Sequence, residues 1–120
     1  MKTTTLWFEK PGKLVFRSEE IGGPAAGEIL VKTEHSAISA GSEMLLYRGL
    51  LPPDMSKDPN LPALSGTMHY PVKYGYSAVG RIIGVGSKQD NQLLDRTVFL
   101  FHPHQSLMVV PKEAVFFPPD

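Results

Sequence analysis

The stretch from Tyr70 to Gly86, YPVKYGYSAVGRIIGVG, restricts what this chain can fold into more than any other part of it. Val72, Val79, Ile82, Ile83 and Val85 are interleaved there with Gly75, Gly80, Gly84 and Gly86. β-Branched residues favour a strand, whereas glycine inside a strand costs stability unless a bulge uses its dihedrals or another backbone or ligand must come close. The pattern predicts a buried strand bent at several points, as at a barrel corner with a cleft beside it. Two nucleotide-binding motifs fail on the same residues. Gln89 stands where a dinucleotide fingerprint needs its third glycine, and no amphipathic helix follows through Asp90, Asn91 and Gln92. Arg81 and Ile82 stand where a phosphate loop needs Lys and then Ser or Thr.

The remaining residues support an all-β reading. Eleven Pro and 11 Gly punctuate the 120 residues as turns, without a repeat or a low-complexity tract. A chain of this length makes one domain, burying roughly two-thirds of its unfolded surface. The 12 basic and 12 acidic residues cancel and are scattered, so there is no electrostatic footprint for nucleic acid or an anionic membrane. A small-molecule or protein partner is expected instead. With no cysteine, disulfides, thiolate zinc sites and cysteine nucleophiles are excluded. The N-terminus MKTTTLWFEK lacks the apolar core of a signal peptide, and no apolar run approaches a membrane span. These features predict a cytoplasmic protein.

Taken in order, Thr3 to Phe8 and Leu14 to Arg17 flank the Pro11-Gly12 turn signal and predict a hairpin. Residues 21–27 read as a loop. Glu28 to Ala37 alternates, with Ile29, Val31, Thr33, His35 and Ala37 on one face, which places His35 inside as a hydrogen-bonded core histidine. Ser42 is a candidate N-cap for a short helix over Glu43 to Arg48, closed by Gly49. Residues 50–69 are Pro-rich and aperiodic, a loop of the length of a lid, a binding loop or a disordered excursion. Ser87 to Asp95 reads as a polar turn, and Arg96 to Phe101, Leu107 to Val110 and Val115 to Phe117 as strands. His102 and His104 bracket Pro103, but no nearby carboxylate or cysteine completes a ligand set, so no metal site is expected there.

The segments GEILVKTEHSAISAGSEMLLYRG, YPVKYGYSAVGRIIGVG and DRTVFLFHPHQSLMVVP together resemble the N-terminal GroES-like domain of the medium-chain dehydrogenases/reductases, the zinc-type alcohol dehydrogenase superfamily. The resemblance covers essentially the whole chain. Ile38 to Glu43, then Tyr47 and Gly49, then Gly75-Tyr76-Ser77 with Val79-Gly80 resemble most the branch that contains bacteriochlorophyllide a dehydrogenase and related bacterial reductases. The resemblance implies a mainly β fold, a GroES-like distorted β-barrel with one or two short helices, that supplies much of a substrate cleft. It also implies that a Rossmann domain, absent from this chain because residue 120 falls where the family's linker begins, holds NAD(P).

The departures from the family pattern are as informative. Zinc-dependent members carry a cysteine ligand where this chain has Ser39, or Ala40 if an insertion is placed earlier, and Gly75-Tyr76-Ser77 replaces the family's Gly-His-Glu. The resemblance therefore implies a zinc-less variant with no metal site. Without a Lewis acid, substrate polarisation falls to hydroxyl or amide hydrogen bonds. Carried over residue by residue, the resemblance assigns catalytic roles to Ser42 and Tyr76, and substrate contacts to Ser39, Tyr47 and Ser77. For each a structural role stands beside the functional one: a helix cap for Ser42, packing for the tyrosines. No cofactor is expected on this chain alone; NAD(P) is implied for a full-length relative, together with a small-molecule substrate and a Rossmann domain in cis or trans. The other reading is a stand-alone GroES-like barrel acting as a binding or oligomerising module, a homo-oligomer like the chaperonin caps.

Overall fold

The computed structural model describes residues 1–51 and 69–119. Strands β1 (Lys2–Lys10) and β2 (Lys13–Glu20) form the expected hairpin, longer at both ends than the turn signals suggest. Strand β3 (Glu28–Ala37) has the predicted bounds, and helix α1 (Ser42–Arg48) follows it. Then come β4 (Ser77–Val85), a 3-10 turn over Lys88–Leu93, β5 (Thr97–Phe101), β6 (Leu107–Pro111), a second 3-10 turn over Lys112–Ala114 and β7 (Val115–Phe116). The fold is mainly β, as expected. Most of the Pro-rich segment, residues 52–68, lies outside the described residues.

Strands β3 to β7 form one antiparallel sheet in the order β6-β3-β4-β5-β7. Two register shifts between β3 and β4, at Leu30/Val31 and at Thr33/His35, bend it. An extra residue on one strand of an antiparallel pair raises the local twist, and this is how a sheet begins to curl towards a barrel. Gly80 lies at the second shift. A Cβ there would come 2.6 Å from the Lys32 carbonyl oxygen, so the glycine serves close backbone approach, as its position in a strand implies.

The main core lies inside this curl, where Ile29, Val31, Ile82, Val98, Leu100 and Met108 meet. A second cluster of Phe8, Leu46, Val72 and Tyr74 joins the hairpin to the helix. The hairpin is tied to this side by Phe8, which exchanges backbone hydrogen bonds with Val72, and by Gly12, whose N–H donates to the Tyr47 carbonyl at 2.6 Å. No helix among the described residues is long and apolar enough to cross a membrane.

Three local expectations are corrected. His35 is exposed, because the second register shift leaves Glu34 outside the pairing and breaks the alternation that would have turned His35 inward. Tyr70 to Tyr76 is not continuous with β4; of these residues only Val72 makes a bridge, to Phe8. Ser42 is the first helical residue, and Gly41 occupies the N-cap position with no side-chain cap. Gly49 does close the helix, in the left-handed conformation at φ 73°.

Candidate functional site

Helix α1 carries a charge and an apolar residue on one buried side, Glu43 and Leu46, three residues apart and therefore on one face. Leu46 anchors the second cluster, against which Tyr70, Tyr76 and Tyr47 also pack. Tyr74 is buried at its centre, and the Tyr76 ring meets it edge-on, with centroids 5.4 Å apart and planes at 85°. Burial raises the Tyr74 phenol well above its ordinary range; the neighbouring Tyr76 phenol acts in the same direction, and the neighbouring Ser42 hydroxyl acts against it. Ser42, Tyr74 and Tyr76 thus form one cluster of hydroxyls at the start of the helix. Hydroxyls beside an apolar wall can donate a hydrogen bond to a carbonyl oxygen.

Next to this cluster, Glu43 and His104 form a buried pair, 1% and 7% exposed. His104 Nε2 hydrogen-bonds Glu43 Oε1, and its Nδ1 lies 2.8 Å from the Ser36 hydroxyl. The other carboxylate oxygen of Glu43 accepts the Ser39 N–H at 2.6 Å. Gly75 lies against the imidazole, where a Cβ would come within 2.9 Å of Cδ2 and Nε2. The expectation that His102 and His104 have no carboxylate near them is therefore corrected: Glu43, 61 residues away in sequence, reaches His104 through the fold. His102 does not join it. Its Nδ1 donates to the Pro103 carbonyl, and burial lowers its pKa. Among the described residues no group of three or more His, Cys, Asp or Glu side chains could hold a metal.

The structure thus brings Ser42 and Tyr76 together through Tyr74, and places Ser39 beside them through Glu43. Ser77, half-buried at the start of β4, pairs with Ala37 and Phe101. Tyr47 packs against the same apolar cluster and lines an open groove of about 260 Å³ with Leu6, Phe8, Leu14, Ile38, Glu43 and Met44. Sequence reasoning missed Tyr74, Glu43 and His104. The available signal was a carboxylate three residues before Leu46 on the helix, a spacing that places a charge on the buried stripe and so demands a partner. Among the described residues the sheet is antiparallel throughout, so no two of its strands are joined as a parallel βαβ unit.

No family model matches the chain. It is 35% identical over 83 residues to 2-desacetyl-2-hydroxyethyl bacteriochlorophyllide A dehydrogenase of Cereibacter sphaeroides, covering 69% of this chain and 23% of that protein. An Etr1p variant solved in complex with NADP and crotonyl-CoA superposes with a TM-score of 0.69 at 18% identity, over 100% of this chain and 34% of that one. A short chain alcohol dehydrogenase from E. coli CFT073, complexed with NADH, gives 0.69 at 20% identity, over 99% and 39%. The chain therefore spans under two-fifths of the length of each. Sequence likeness to one protein and fold likeness to the others agree with the motifs quoted above: this chain has the fold of the N-terminal GroES-like domain of the medium-chain dehydrogenase/reductase superfamily.

Proposed function

We propose that the chain is the substrate-binding N-terminal domain of a zinc-independent, NAD(P)-dependent medium-chain oxidoreductase, not catalytic on its own. The observation that carries this reading is the packing of Tyr76 edge-on against the buried Tyr74, in the cluster anchored by Leu46 of the helix that Ser42 begins. Ser42 matches the Ser or Thr that contacts the substrate oxygen in the resembled family, and Tyr76 stands in the place of a zinc-ligating histidine. A hydroxyl there offers a hydrogen bond in place of a Lewis acid. Ser39 and Ser77 flank the same region, and Tyr47 contributes the apolar groove beyond the helix. The nicotinamide belongs to a Rossmann domain, in cis or in trans, and no step through it is assigned to residues of this chain.

Two measurements test the assignment. A fluorescence titration of the 120-residue chain with NADPH is expected to show no saturable binding, and micromolar affinity would overturn the division of labour. Elemental analysis after dialysis against a weak chelator is expected to find no stoichiometric zinc, because Ser39 or Ala40 and Tyr76 are poor ligands at neutral pH. One zinc per chain would remove the zinc-independent reading.

A further inference from the structure

We propose that Glu43 and His104 are positioning residues: the pair sets where Ser42 stands relative to Tyr76. The proposal rests on the functional reading above only for which site the pair serves.

The pair joins four segments: the start of α1, the β3–α1 connection, the end of β3 and the loop that carries His104. Glu43 follows Ser42 directly in the helix, and its carboxylate reaches back to the Ser39 N–H, folding the β3–α1 connection over the helix start. Its other oxygen holds His104, and His104 holds Ser36 at the end of β3. The imidazole lies flush against Gly75, the residue before Tyr76, where nothing larger than hydrogen fits without a shift. The loop carrying the imidazole is fixed to Tyr76 a second time, because the His102 N–H donates to the Tyr76 carbonyl at 3.1 Å. Ser39, Ser42 and Tyr76 are thus all located by reference to one buried imidazole.

The arrangement is also a costly way merely to fill space. A desolvated carboxylate–imidazole pair adds little stability over well-packed apolar residues of similar volume, whereas its directional hydrogen bonds define a geometry that apolar packing leaves loose. Each ring nitrogen and each carboxylate oxygen has its own partner, so rotating either side chain breaks a named contact.

Two amide replacements separate the ring's nitrogens. His104→Gln carries its amide to the place of Nε2 and keeps a donor for Glu43, while His104→Asn reaches only the place of Nδ1, towards Ser36. In the labelled protein, nuclear Overhauser contacts between the Tyr74 ring and the Ser42 methylene report the spacing, and amides of Ile82, Val98 and Leu100 report the main core. The expected result is that His104→Gln retains the Ser42–Tyr74 contacts and His104→Asn weakens them severalfold, with the core amides unmoved in both. The paired substitution Glu43→Met with His104→Leu, which removes the charge together with its partner, serves if His104→Asn does not fold, and it too is expected to weaken the contacts. Retention of the parental contacts in the Asn or paired variant, or equal loss in Gln and Asn, overturns the proposal. None of these readouts requires turnover, so failure of the oxidoreductase reading leaves the result intact.

Discussion

Tyr76→Phe, introduced into the protein working with its nicotinamide domain, is expected to lower turnover by about 10²- to 10³-fold, the usual loss when a hydrogen bond to the developing oxyanion is removed. Stability should fall by no more than about 1 kcal/mol, since the ring keeps its edge-on contact with Tyr74 and only the hydroxyl is removed. The division between the two readouts is what matters. A packing tyrosine gives unchanged turnover in the phenylalanine variant, and that outcome ends the catalytic assignment of Tyr76.

His104→Leu is expected to destabilise the fold by about 3–5 kcal/mol, because it leaves the Glu43 carboxylate buried at 1% exposure without its principal partner. Adding Glu43→Met should recover most of that loss, since the charge then disappears together with the imidazole. Urea unfolding of the parent, both single variants and the double variant closes the cycle. A single variant within about 1 kcal/mol of the parent would show that the carboxylate is neither strongly desolvated nor dependent on the imidazole.

What could be read from the residues alone follows the range of the interactions involved. The β1–β2 hairpin, β3 and the helix closing at Gly49 rest on local signals, such as Pro11-Gly12, alternation from Glu28 and a C-terminal glycine, and each was legible. The face of His35 was not, because a bulge reverses the alternation and its position depends on the pairing of β3 with β4. Glu43 and His104 were missed for the same reason: 61 residues separate them, and one sequence holds no record of which buried charge meets which imidazole. The glycines of the Tyr70 to Gly86 stretch were legible as places of close approach, but not that the neighbour of Gly75 is His104.

Helix α1 has only seven residues, far fewer than the roughly 12–15 that an isolated helix needs to be even marginally stable in water. It is held at its start by Glu43 reaching His104, and at its end by the Tyr47 carbonyl receiving the N–H of Gly12 from the hairpin turn. Both ties span long loops of chain, and contacts of that kind form only after their closure entropy has been met. The helix therefore owes its order to the sheet and the hairpin that hold its two ends rather than to its own propensity. Loosening either tie is expected to fray the helix and shift Ser42 relative to the sheet.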